Sequence, residues 1–249
     1  METMAGVARW KNADEESFMK FGRNNLQRGF SLVDLLVIVA VILVVGFAIL
    51  RVLSQAHHST RRIGCTNNLK QVGLSFRVWA YDNDEKLPMQ VCVTNGGAME
   101  LANEGSAYAV FMVMSNELAR PKILFCPQET NRRRVQANVF AHSTPRQRGD
   151  AEVVFTPTNN ISYFVGLDAN SGKPHEMLAG DDHFQVAGKT PTPGLFLLPT
   201  NAPVMWRDER HRKQGNILFA DGSVLGLTNS GFHDVLAKTG IATNRLAMP

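Results

Sequence analysis

From Phe30 to Leu50 the chain reads FSLVDLLVIVAVILVVGFAIL, twenty-one residues in which Asp34 is the one ionisable side chain. About 20 apolar residues at a helical rise of ~1.5 Å span the ~30 Å hydrocarbon layer of a bilayer. A membrane-spanning helix is therefore the first expectation. Arg28 and Arg51 bracket the run, and Lys20, Arg23, Arg61 and Arg62 make both flanks basic. The positive-inside bias thus leaves the orientation open. A carboxylate at the centre of such a helix is disfavoured by roughly 2.5–3.5 kcal/mol, and by less near an end. Asp34 calls for a partner.

Three accounts compete. In the plainest, the run is a single-pass anchor and Asp34 sits among the headgroups. In the second it is a secretory signal, with Ser54-Gln55-Ala56 as the small-x-small cleavage site. An apolar signal core runs ~7–15 residues, however, and the leader here is long and carries several acids. The third starts from the junction Gly29-Phe30-Ser31-Leu32-Val33-Asp34. A basic leader ending in Gly, then Phe, Ser, Leu, Val and an acid ahead of an apolar helix, resembles the type IV prepilin and type II secretion pseudopilin family.

That resemblance implies cleavage between Gly29 and Phe30 by a prepilin peptidase that also methylates the new Phe30 amine. It implies further that the acid at the fifth mature position, Asp34, pairs with the terminal amine of a neighbouring subunit. The buried charge would thereby gain a partner. The family favours Glu at this position; Asp keeps the charge with one methylene less reach.

Removal of residues 1–29 would leave about 220 of the 249 residues, enough for the helix and one compact head. The net charge of +4 gathers at Arg132–Arg134, at Arg146 and Arg148, and at Arg207, Arg210, Arg212 and Lys213. A solvated surface accounts for these clusters; attraction to an anionic polymer is the alternative. No aromatic residues interleave with the arginines for base stacking, so nucleic acid is not an expected partner. The three cysteines, Cys65, Cys92 and Cys126, leave three disulfide pairings open, and no spacing among them resembles a zinc motif.

Beyond Arg51, Cys65, Leu69, Val72, Phe76 and Trp79 recur at steps of four, three, four and three, one apolar stripe on a helix. Asp82, Asn83, Asp84 and then Pro88 should end it near Tyr81. His57 and His58 fit surface positions. After this, Ala107–Leu118 suggests a short helix, residues 128–160 an extended polar loop, and ISYFVGLD and GLFLLP strands. Asp221-Gly222 between apolar runs is a strong hairpin signal, with strands at Asn216–Ala220 and Ser223–Leu227.

The expected fold is α+β and pilin-like: a long N-terminal helix, membrane-spanning in its first half, packed on a small antiparallel sheet. The segments are a leader (1–29), a transmembrane half-helix (30–50), its amphipathic continuation (51–87) and a periplasmic head (88–249). CTNNLKQVGLSFRVWAYDNDEKLP, ILFCP and ISYFVGLDANSGKPHEMLAGD resemble blocks of a pseudopilin-like subgroup. That subgroup is named for a histidine followed, after nine residues, by Asp-Gly; His211, Asp221 and Gly222 fit the pattern. Cys65 and Cys126 both fall in its blocks, so the resemblance implies that these two pair.

His211 and Asp221 have two readings: a bound cation or general base, or a turn-forming Asp with a His that hydrogen-bonds to hold the hairpin. Some family members hold calcium through loop oxygens, which leaves Asp181 and Asp182, next to His183, open as ligands of a hard cation. Carboxylates on an exposed turn are the alternative. There is no Gly-rich phosphate loop, no nucleophile elbow and no HExxH, and neither a catalytic residue nor a cofactor is expected. The expectation is a structural subunit of a type II secretion or pilus-like filament, single-pass in the inner membrane with a periplasmic head. Its partners would be the prepilin peptidase/methyltransferase, other pseudopilin subunits and an inner-membrane assembly platform. The rival is an enzyme or polyanion-binding module on an uncleaved anchor.

Overall fold

A computed structural model describes residues 31–140, 152–157 and 159–249, without the side chains of residues 52–61. The chain divides into two compact units, Met1–Leu53 and Ser54–Pro249. Helix α1, Leu32–Tyr81, contributes to both.

The first turn of α1 is closed by its own side chains. Ser31 Oγ accepts from the Val33 N–H at 3.3 Å, while Asp34 Oδ2 accepts from the Ser31 N–H at 3.0 Å. This reciprocal arrangement satisfies two donors that a helix start leaves bare. From Leu32 to Arg51 every residue except Gly46 is exposed. These 20 residues are long and apolar enough to cross a membrane.

Within the second unit the same helix behaves differently. Cys65, Leu69, Val72, Phe76 and Trp79 are all buried. Gly73 lies on this face too, where a Cβ would meet Leu218 Cδ1 at 2.7 Å, so its missing side chain lets helix and sheet approach. The helix stops where Asp84 and Glu85 enter the left-handed region and Asn83 Nδ2 donates to the Trp79 carbonyl at 2.8 Å. Three short helices follow: α2 (Met99–Asn103), α3 (Ala107–Val113) and α4 (Ser115–Leu118). The single helix expected over 107–118 is thus broken, at Met114.

Among the described residues eight strands complete the unit: β1 Tyr163–Gly166, β2 Met177–Asp181, β3 Phe184–Val186, β4 Gly194–Pro199, β5 Val204–Trp206, β6 Gly215–Phe219, β7 Val224–Leu227 and β8 Thr243–Met248. Six form one antiparallel sheet in the order β4-β8-β1-β2-β6-β7, and β3 pairs with β5. Alternate side chains sort to opposite faces, as a pleated strand requires. Tyr163, Val165, Leu218 and Ala247 join α1 and the short helices in one core. Phe164, Ile217, Phe219, Leu246 and Met248 join Phe184, Val204, Trp206 and helix α5 (Asn229–Lys238) in the other. The sheet is therefore covered on both faces, a three-layer α+β arrangement.

Candidate functional site

Four side chains of metal-ligating chemistry converge inside the second unit. Cys65 comes from α1, Cys126 from the segment after the Pro121–Leu124 turn, Asp181 from the end of β2 and His211 from the loop entering β6. All four are buried, and one ligand atom from each lies within 4.8 Å of the others. Cys65 and Cys126 are joined by a disulfide, with Cα atoms 5.3 Å apart, inside the usual window for such a bond. Cys92 is free and half-buried.

The remaining separations are short. Cys126 Sγ is 3.4 Å from His211 Nε2, His211 Nε2 is 3.5 Å from Asp181 Oδ2, and Cys65 Sγ is 3.9 Å from Asp181 Oδ1. Neighbours hold these groups in place. Asp181 Oδ2 accepts from the Asn216 N–H at 2.7 Å and from Asn216 Nδ2 at 2.8 Å. Thr66 Oγ1 in turn donates to Asn216 Oδ1 at 3.2 Å, and Tyr163 Oη lies 3.4 Å from Cys65 Sγ. Burial raises the Asp181 pKa against the opposing pull of His183, Arg210 and Asn216. It also pushes the Tyr163 hydroxyl well above its ordinary value, with help from the Asp181 charge.

His211 sits on unusual backbone. His211, Arg212 and Lys213 have φ of 53°, 52° and 59°, three successive non-glycine residues in the left-handed region. Each such residue costs about 1–2 kcal/mol, so the surrounding structure must hold them there. One restraint is the His211 N–H, which donates to Gln128 Oε1 at 3.2 Å. Burial, with Arg210 and Arg62 nearby, lowers the His211 pKa to about 4. His183, 5.4 Å away between ring centroids, is lowered to about 4 as well, again by burial first. Its Nε2 meets the Gln214 carbonyl at 3.0 Å, so that nitrogen carries the hydrogen. Both rings are neutral at pH 7.

Beside this cluster lies a buried ionic layer. Arg210 pairs with Asp182 and, at 3.3 Å, with Glu129. Arg134 pairs with Asp182 at 2.6 Å and Glu129 at 3.1 Å. Burial works against both carboxylates, yet the two guanidinium groups hold Asp182 and Glu129 below their ordinary pKa values. Two sequence expectations are corrected here. Asp181, Asp182 and His183 are not on an exposed turn; all three are buried, because β2 and its exit sit in mid-sheet. Arg134 and Arg210 are not solvated surface cations but internal partners of two acids. An open groove of about 590 Å³ alongside mixes Arg132 and Arg207 with Glu129 and Glu209 and presents no single sign of charge.

Comparison with protein-family models, curated proteins and solved structures finds no match.

The Asp-Gly pair of the His-nine-Asp-Gly pattern serves the hairpin. Asp221 is exposed and its Oδ1 accepts from the Ser223 N–H at 2.8 Å, while Gly222 takes φ 84° in the turn. His211 belongs to the buried cluster instead. The nine intervening residues run through the left-handed turn and strand β6, so the spacing measures one strand between a buried histidine and an exposed turn. Asp182 is spent on the two arginines, so Asp181 and Asp182 do not form an oxygen-only pair. Gly29, Phe30, Arg146, Arg148 and the side chains of His57 and His58 lie outside the described residues. Nothing in the sequence singles out Tyr163, Asn216, Thr66 or Glu129. The cysteine pair is 61 residues apart, Cys126 and His211 are 85 apart and Cys65 and Asp181 are 116 apart, so no local spacing announces them.

Proposed function

We propose that this chain is a pilin-like filament subunit, cleaved after Gly29, methylated at Phe30 and assembled through its apolar helix. The observation that carries the proposal is the Leu32–Arg51 stretch, exposed and apolar on all sides, which starts two residues after the Gly29–Phe30 junction. A filament core of bundled helices, like a bilayer before it, is a medium that such a surface needs. Leu74, Val78 and Tyr81, exposed on the later part of α1, offer further apolar area to a neighbouring subunit. A disulfide between Cys65 and Cys126 suits a head outside the reducing cytoplasm.

Asp34 needs a fuller account than its charge. Its Oδ2 closes the first turn onto Ser31, so the acid has a local use even in a lone chain. In the assembled filament Oδ1 is the atom that meets the terminal amine of an adjacent protomer. The burial of Asp181 and His211 favours a structural use over catalysis, since neither offers a surface to a substrate.

The deciding experiment is mass spectrometry of the N-terminus in native material. A methylated Phe30 is expected. An intact Met1 would indicate an uncleaved tether, and a start at His57 ordinary secretion; either result refutes the proposal. Asp34→Ala should leave cleavage intact and reduce assembly, whereas Asp34→Glu should assemble at least as well. Normal filaments from the alanine variant would remove the pairing role.

A further inference from the structure

We propose that Cys65, Cys126, Asp181 and His211 form a tetrahedral zinc site in the dithiol form of the chain, and that the bond between the two sulfurs is its alternative, metal-free closure. The donor set points to the metal. Two thiolates, an imidazole and one carboxylate suit Zn²⁺ in a closed four-coordinate centre, whereas calcium or magnesium would call for an all-oxygen shell.

Geometry supports this. Zinc–ligand bonds of about 2.0–2.3 Å place the ligands of a tetrahedron roughly 3.3–3.8 Å from one another. Two observed separations, 3.4 Å (Cys126 to His211) and 3.5 Å (His211 to Asp181), fall on those edges, 3.9 Å (Cys65 to Asp181) lies just beyond them, and the two bonded sulfurs part to an edge only in the dithiol form. All four donors are buried, as in a structural rather than an open catalytic centre.

Surrounding groups do what an outer shell does around a metal. Asn216 fixes the Asp181 carboxylate through two hydrogen bonds and is itself fixed by Thr66, while the Tyr163 hydroxyl lies against the Cys65 sulfur. Charge points the same way. Glu129 and Asp182 share Arg134 and Arg210, two acids against two bases. Among the described residues, Asp181 is within ion-pair distance of His211 alone. A divalent cation would supply the countercharge that this fully buried carboxylate lacks.

Binding is written as Zn²⁺ displacing one proton from each thiol, with Asp181 entering as carboxylate and His211 as neutral imidazole through Nε2. No electron transfer is involved. When the sulfurs are instead joined, no thiolate remains to bind the ion.

The test uses the full chain in detergent, reduced with a phosphine, its thiols counted, stripped with a chelator and titrated with Co²⁺ as a spectroscopic probe. One Co²⁺ per chain is expected, with the ligand-field bands of tetrahedral cobalt, sulfur-to-cobalt charge transfer, and release of two protons per ion. Zn²⁺ should displace it stoichiometrically, and the disulfide form should bind none. Asp181→Asn should weaken binding by about 10–100-fold or more. His211→Cys should retain binding with added charge-transfer intensity, which keeps the assignment testable should His211→Ala fail to fold. A reduced chain that ignores Co²⁺, or binds it without sulfur charge transfer, overturns the proposal. An unchanged spectrum in His211→Cys overturns the histidine's place in it.

Discussion

The two parts of helix α1 share one backbone geometry and differ in exposure. Leu32–Arg51 is apolar on every side and exposed almost throughout, with Asp34 and Arg51 at its ends. From Cys65 to Trp79 the apolar residues fall on one stripe, and Asn67, Lys70, Gln71 and Arg77 occupy the rest. That stripe meets Tyr163, Val165 and Leu218 of the sheet within its own unit. The contrast teaches that an α-helix is not committed to a surrounding by its hydrogen bonds, which are internal in both parts. What commits it is whether polar residues interrupt the apolar ones at helical intervals.

Four perturbations test this contrast, in decreasing order of effect. Phe76 is fully buried and meets the edge of Phe111 at 6.4 Å. Phe76→Ala should destabilise the second unit by about 3–5 kcal/mol in urea denaturation; a loss below ~1 kcal/mol would mean that the stripe is not what anchors the helix. Val41→Lys, in the middle of the apolar run, should raise the free energy of placing that segment in a bilayer by roughly 2.5–3.5 kcal/mol. It should deplete the protein from membranes in a flotation assay while leaving the urea midpoint unaltered. Unchanged flotation would show that the run serves some purpose other than spanning.

Acid should also separate the two regions, because the neutral buried histidines belong to the second. His183 and His211 have folded pKa values near 4, against ~6.5 when unfolded. As pH falls through 6.5 the unfolded chain takes up protons first, so stability declines between 6.5 and 4 and the decline levels off below. Between pH 7 and pH 5 the expected loss is on the order of 2 kcal/mol per histidine. His183→Gln should flatten this dependence, and an equally steep profile in that variant would show that other groups carry it. Smallest of the four, Ser31→Ala should remove one cap bond at the start of α1 and cost about 1 kcal/mol locally. Faster amide exchange at Val33 and Asp34 would register it; unaltered exchange would mean that the Asp34 carboxylate holds the turn alone.

Much of the second unit is legible in the amino-acid sequence. The stripe from Cys65 to Trp79, the stop near Tyr81, the strands around Tyr163 and Leu195, and the Asp-Gly hairpin all have signals that span a few residues. Helix α5, not among the expected elements, carries a local signal as well: Thr228 caps Gly231 at 3.3 Å ahead of Phe232, Val235 and Leu236, and Gly240 follows with φ 68°. The Ser31-x-x-Asp34 cap is likewise local, though the expectation for Asp34 is only a partner outside its own turn. Strand β2 is harder, since MLAGD carries Gly and Asp, residues depleted from strands. It is held by its neighbours: β1 and β6 pair with it on either side, and Gly180 lies where a Cβ would meet the Phe164 ring at 2.8 Å.

Where this chain is apolar, with what period, and where it must turn can be read along the chain, because those properties depend on residues within a few positions of one another. Local pattern did not reveal that Cys65, Cys126, Asp181 and His211 would meet, nor that a buried Arg210 and a half-buried Arg134 would pair with Asp182 and Glu129. Loops of arbitrary length separate those partners, so spacing along the chain carries no information about their distance in space. Only the packing of α1, the mid-sheet strands and the loops that carry Cys126, Glu129, Arg134 and His211 brings them together, and that same packing removes the water that would otherwise screen and satisfy them.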